Sequence, residues 1–178
     1  MDVRRLLATE VPAATILIRL MVGAVFLSEG IQKFLFPEAR GVGRFEGMGF
    51  PDPEFWASVV GVVEIVAGVL VLLGLLTRIG ALLLAVDMVV AIVTTKIPIL
   101  LGRDLGPFQV RDLDTYGFWS MAHEARTDWA MLLGSLFLLG VGAGVWSVDA
   151  AIRRRMRRRS ARSAIRLPAG DRPVLFGL

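Results

Sequence analysis

The sequence contains no cysteine and a single histidine, His123. Without cysteine there is no disulfide, no thiolate nucleophile, no Cys-ligated cluster and no CxxC redox pair. One imidazole excludes bis-His haem ligation within the chain and starves a multi-His metal site of ligands. No haem, iron–sulfur cluster or metal is therefore expected, and any electron carrier must be an organic cofactor or belong to a partner. With 178 residues the chain also lacks room for a separate soluble catalytic domain.

Charge is nearly missing from four long stretches, Ala13 to Phe36, Phe55 to Leu76, Ile79 to Leu101 and Trp129 to Val148. Each holds about 20 residues or slightly more, which at ~1.5 Å per helical residue spans a hydrocarbon core of ~30 Å. Hydrophobic residues make up 55% of the chain and the mean hydropathy is +0.66. A backbone in lipid must satisfy its own hydrogen bonds, and continuous apolar runs do so as helices rather than as alternating barrel strands. The expected fold is all-α, a four-transmembrane-helix bundle over residues 1–152 followed by an arginine-rich tail over 153–178. The N-terminus resembles a signal peptide, but its apolar run contains Arg19 and continues to Phe36 without a small-x-small cleavage site, so a retained first helix is expected. Pro12 suits its first turn, with Thr9 as a candidate cap.

The formal charge of +4 hides an asymmetry. Nine arginines and Asp171 give residues 153–178 a charge of +8, while 11 basic and 15 acidic residues give 1–152 a charge of −4. Arg4 and Arg5, Arg78 between the second and third runs, and the arginine tail predict both termini on the cytoplasmic side of the membrane. The run Arg153, Arg154, Arg155, Arg157, Arg158 and Arg159 reads as a topology anchor with affinity for anionic lipid, not as a nucleic-acid site. The connections 37–54 and 102–128 then lie outside, with Trp56, Tyr116, Trp119 and Trp129 as an aromatic belt.

Function must be sought in the polar residues inside the runs. At ~100° per residue, Arg19, Gly23, Phe26, Gly30 and Lys33 lie within about 40° of one line on the first helix. The glycines admit a neighbouring backbone, and the cations avoid lipid by facing the bundle. Glu29 stands one turn before Lys33, where an intrahelical pair is geometrically available. The second helix places Ala57, Gly61, Glu64 and Gly68 on one side, so Gly23, Gly30, Gly61 and Gly68 are the expected packing residues. The third adds Asp87 and Lys96; the fourth has no ionisable residue between Trp129 and Val148. Counting depth along the helices pairs Arg19 with Asp87 as a structural ion pair in the inner half. Glu29, Lys33, Glu64 and Lys96 form an outer cluster beside Phe26.

The segments RLMVGAVFLSEGIQKFLFP, GVVEIVAGVLVLLGLLTRIGA and GVGAGVWSVDA together resemble the DoxX family of small four-helix membrane proteins. The resemblance covers about residues 13–150. It departs near the end of the third helix, where many relatives carry a histidine and this chain has Thr94, Thr95 and Lys96. The resemblance implies a small membrane partner of redox enzymes, such as the membrane subunit of thiosulfate:quinone oxidoreductase.

Two function classes follow. In the first, the chain is a subunit of a quinone-linked complex and contributes a quinone site through Phe26, Glu29, Lys33, Glu64 and Lys96, with electrons delivered by a partner. In the second, it is a non-catalytic scaffold whose outer loop, through Arg111, Tyr116 and Trp119, docks another subunit. His123, Glu124 and Asp128 could imitate a metal site, but one imidazole and two carboxylates in that spacing read better as a solvated helix start, with Thr127 or Asp128 as its cap.

Overall fold

The computed structural model describes residues 13–165; Arg4, Arg5, Thr9, Pro12 and the segment 166–178 lie outside them. The described elements are α1 (Thr15–Leu35), α2 (Pro37–Arg40), α3 (Val42–Gly47), α4 (Pro53–Leu73), α5 (Thr77–Ala91), a π-helical turn (Ile92–Lys96), α6 (Ile97–Leu101), α7 (Phe118–Glu124), α8 (Arg126–Val141) and α9 (Val148–Ile165). No strand occurs among the described residues, where only an isolated bridge joins Leu105 to Phe108.

Three rods are long and apolar enough to cross a membrane: Thr15–Leu35, Pro53–Leu73 and the continuous Thr77–Leu101. Their outward faces carry large aliphatic side chains in the open, among them Leu17, Leu20, Val62, Val66, Val86 and Val89. Their inward faces carry the glycines, alanines and charges. In water this arrangement would be inside out; in lipid it is the stable one, because association is driven by close packing of small residues and by satisfying polar groups. The protein is a membrane protein.

The fourth apolar run behaves differently from its sequence expectation. Instead of continuing to Val148, α8 stops at Val141 after 16 residues, about 24 Å of helix. Gly142 at φ 86° and Gly144 at φ 75° occupy backbone conformations that an L side chain rarely adopts, so the chain turns there and restarts as α9. That last helix begins before residue 153 and carries the arginine run, so the expected boundary at 152/153 falls inside an element. Connection 37–54 holds α2 and α3, two short helices either side of Gly41. Nor does Thr127 or Asp128 cap α8: it follows α7 directly, with Ala125 between them and no side-chain cap.

The tightest packing is between α1 and α4. A Cβ on Gly23 would meet the Gly68 carbonyl oxygen at 2.9 Å, and one on Gly30 would meet the Gly61 carbonyl oxygen at 2.8 Å. Moving seven residues forward along α1 moves seven residues back along α4, so the two helices run antiparallel. The α8 helix packs mainly on α5 and also touches α1. Val22, Phe26, Ala67, Val71, Ala81, Leu84, Met131 and Leu138 fill the space between the four.

Because the Gly30 neighbour is backbone and cannot swing away, Gly30→Ala should destabilise the protein by about 1–3 kcal/mol through overpacking. Gly140→Ala, where a Cβ meets nothing within 4 Å, should be neutral or slightly stabilising. Thermal unfolding of the two variants in one detergent checks this; equal midpoints would show that the α1–α4 contact is not close.

Candidate functional site

The intramembrane charges sort into two groups at opposite ends of the bundle, though not in the partners that depth counting suggested. Arg19 does not pair with Asp87. Its Nε donates to the Val71 carbonyl at 2.9 Å and its Nη2 to that of Leu72 at 2.5 Å. Nη1 donates to the carbonyls of Ala143 at 3.1 Å and Trp146 at 2.7 Å. The physical reason is the C-terminus of α4, whose last carbonyls have no helical partner and carry partial negative charge. Helical side chains lean toward their own N-terminus, which aims Arg19 at those carbonyls and away from the bundle centre.

The carboxylate attracted to Arg19 is Asp149, which the sequence reading did not single out. It accepts from the backbone N–H groups of Leu76 at 2.9 Å and Thr77 at 3.2 Å, and its own N–H donates to Gly74 at 2.9 Å. Asp149 thus caps α5 from α9, across more than seventy residues of sequence. Arg19, Asp149 and the turns at 74–76 and 142–147 form a clamp that ties four chain segments together. Gly74 sits inside it at φ 67°, where a Cβ would lie 2.7 Å from the Arg19 guanidinium.

At the other end, Lys33 and Glu64 form an ion pair of 2.5 Å. Since α1 and α4 are antiparallel, the N-terminal lean of each side chain carries Lys33 down toward Glu64 and Glu64 up toward Lys33. Lys33 therefore takes Glu64 as partner in place of Glu29 on its own helix. Asp87 joins this pair, interacting with both Lys33 and Glu64, so it belongs here and not with Arg19. Glu29 lies near enough to repel Glu64. Lys96 pairs with Asp128 at 3.5 Å, and Asp128 in turn lies within electrostatic reach of Asp87. The result is a layer of two lysines and four carboxyls drawn from α1, α4, α8 and the Thr77–Leu101 rod. These are the only lysines in the chain, a compositional signal that marks the layer.

Lys96 owes its direction to the π-helical turn. Pro98 has no backbone N–H and its ring crowds the carbonyl four residues earlier, that of Thr94; the wider turn relieves the clash. The hydroxyls of Thr94 and Thr95 donate to the carbonyls of Val90 and Ala91 at 2.9 and 2.6 Å, satisfying acceptors the altered ladder releases. Lys96 is left 9% exposed and turned toward α8.

Above the layer, a cavity of about 480 Å³ opens between α2, α3, the π-helical turn and the connection to α7. Lys96 forms part of its lining, with Arg40, Arg44 and Arg111. The cap around it is held by the Gln109 N–H donating to the Met48 carbonyl at 3.0 Å and by a run of rings, Phe45, Phe50 and Phe108, at 5.0 Å centroid spacing.

Several expected site residues fall elsewhere. Phe26, expected as a wall of the quinone site, is 1% exposed and packed in the apolar core. Of the expected docking residues, Tyr116 and Trp119 are exposed, Trp119 by 82%. Arg111 is exposed as well, and it meets Glu124 at 3.1 Å beside the cavity. Glu124 and Asp128 both face cations, and His123 is exposed.

The DoxX profile matches residues 14–97, which contain α1, α4 and α5, the Lys33–Glu64–Asp87 group and Lys96. A 151-residue stretch is 56% identical to the uncharacterized membrane protein Rv3486 of Mycobacterium tuberculosis, covering 85% of this chain and 88% of that one. The chain belongs to the DoxX family. It is also 37% identical over 135 residues to the putative oxidoreductase CatD of Bacillus subtilis, covering 76% of this chain and 84% of the relative. No solved structure matches it.

Removing one member of a buried pair strands its partner. Lys33→Met should cost about 3–5 kcal/mol, whereas Lys33→Met with Glu64→Gln should cost less than that single change. A double-mutant cycle of thermal midpoints measures the difference, and additive losses would mean that Lys33 and Glu64 act independently.

Proposed function

We propose that this DoxX-family protein is a membrane subunit of a quinone-linked oxidoreductase complex in a bacterial inner membrane, and that its charged layer handles the protons of quinone chemistry. The observation that carries the reading is the layer itself: two lysines and four carboxyls held among apolar helices. Groups of this kind inside a membrane are costly and characteristically mark ion, proton or ligand pathways. The family membership and a relative named as a putative oxidoreductase support the redox context.

Quinone reduction takes two electrons and two protons to give the quinol, and the reverse reaction returns them. This chain holds no cysteine and no second histidine, so the electrons come from a partner subunit or its cofactor. What the layer supplies is hydrogen bonding and proton exchange: a lysine ammonium donates to a carbonyl oxygen of the headgroup, and a neighbouring carboxyl delivers or accepts the proton. Lys33 with Glu64 is the proposed contact for the headgroup, and Glu29, Asp87, Asp128 and Lys96 carry protons between it and the cap end. Phe26 excludes water from below.

The same reading assigns α8 as the fourth crossing and places the clamp end in the cytoplasm. Arg78, which donates to the Gly140 carbonyl, and the arginines of α9 belong to that end, where the positive-inside rule puts them. The arginine run then lies at the surface of the anionic cytoplasmic leaflet. The exposed aromatic pair Phe118 and Trp119, in edge contact at 5.1 Å, together with Tyr116, is the proposed partner-docking patch on the opposite side.

Cysteine labelling tests the orientation in a chain with no native thiol. An impermeant maleimide should label Asp114→Cys in intact cells and reach Ser163→Cys only after permeabilisation; the reverse pattern would overturn it.

Purification in mild detergent, followed by lipid extraction and partner identification, tests the function. Quinone recovered in proportion to the protein, and lost in Glu64→Gln, is the expected result. In the intact complex, Glu64→Gln should lower quinone turnover by roughly 100-fold, in the range of losing a general acid–base group. Full turnover of that variant at normal expression would remove the proposed chemistry and leave a scaffold that binds its partner through the aromatic patch.

A further inference from the structure

The cavity at the cap end carries a charge imbalance that the quinone reading does not use. Four cationic side chains line it, Arg40, Arg44, Lys96 and Arg111, against one carboxylate, Glu124. They come from α2, α3, the π-helical turn and the connection to α7, so no local helix pattern brings them together. Glu124 is engaged by Arg111 and Lys96 by Asp128. Arg40 and Arg44 have no ion-pair partner among the described residues. The deepest cation, Lys96, is 9% exposed, in surroundings where a charge is screened less by water and acts more strongly on a ligand.

We propose that this cavity binds a small organic anion bearing carboxylate or phosphate oxygens. Arginine presents a planar fork of N–H donors that matches carboxylate and phosphate oxygens two at a time, and the α2–α3 hairpin offers two such forks on one rim. Lys96 supplies a point charge at the floor. The volume, about 480 Å³, lies within the range of small-molecule sites, roughly 300–1,000 Å³, and exceeds what an inorganic ion fills. Ala39, Met48 and Ile99 supply apolar wall for a carbon skeleton, and Thr95 and Gln109 supply neutral hydrogen-bonding groups. The Gln109–Met48 hydrogen bond and the Phe45–Phe50–Phe108 rings hold the cap in place, so less ordering is needed on binding. The site stands whether or not a quinone binds at Lys33 and Glu64.

The same oxygens are offered by a soluble metabolite and by a phospholipid headgroup, and the experiment separates them. The full chain is placed in phosphatidylcholine nanodiscs and its thermal midpoint is followed by tryptophan fluorescence. Citrate or inorganic phosphate is titrated against chloride at equal ionic strength. A second set of discs contains phosphatidylglycerol with no added anion. Both arms are repeated with Arg40→Gln/Arg44→Gln, whose exposed positions leave folding unaffected, and with Glu124→Gln.

The expected result is a saturable rise in midpoint with citrate or phosphate for the unmodified chain. The double arginine variant should bind roughly tenfold or more weakly, as loss of charge-assisted hydrogen bonds requires, and Glu124→Gln should bind more tightly. A rise only with phosphatidylglycerol, again lost in the double variant, upholds the oxyanion site and assigns it to a headgroup phosphate. Identical curves for the unmodified chain and the double variant in both arms, including a shared rise from general salt exclusion, would overturn the proposal.

Discussion

A charge inside a hydrocarbon layer has to find a partner, and that constraint organises this protein. Unpaired, each of the buried ionisable groups would cost several kcal/mol. Three helices of ordinary membrane-spanning character are pulled into one arrangement because only that arrangement gives Arg19 its four carbonyls and Lys33 its carboxylate. The glycines make this possible. Without the close approach at Gly23–Gly68 and Gly30–Gly61, α1 and α4 would stand too far apart for either interaction to form.

The two polar ends solve the same problem in chemically different ways. At the clamp end the donors of Arg19 meet backbone carbonyls, and the carboxylate of Asp149 meets backbone N–H groups. Backbone groups do not titrate in the physiological range, so this end is suited to holding geometry. At the other end side chains meet side chains, and carboxyls outnumber lysines four to two. The layer continues through Asp128 and Lys96 to a cavity lined by more cations than carboxylates. One end of the small bundle is thus tied by backbone groups and the other by side chains.

Much of this was legible in the sequence. The stripe Arg19, Gly23, Gly30 and Lys33, and its counterpart Gly61, Glu64 and Gly68, follow from helical periodicity, because the residues on one helical face are fixed by spacing alone. Position along each helix also separates Arg19 from Lys33 and Glu64, but it put Asp87 in the inner group, and the structure puts it with Lys33 and Glu64. Partner choice was not legible. Depth counting treats each side chain as a point beside its own Cα, and Arg19 and Asp87 then look like neighbours. A long side chain that leans toward its helix N-terminus shifts by more than a helical turn, and backbone carbonyls, invisible to a search for opposite charges, compete for it.

By itself, then, the sequence determined that the chain is helical, lives in a membrane and turns its glycines and most of its intramembrane charges inward, since those properties are set by run length, composition and period. The tertiary structure alone decided where Asp87, Asp128 and Asp149 act, because each meets its partners across helices that only packing brings together. It also decided the end of α8, where Gly142 and Gly144 break an apolar run that hydropathy would have continued. The basic cavity belongs to the same class: Arg40, Arg44, Lys96 and Arg111 lie in four separate segments, and only the folded cap gives them a common space to face.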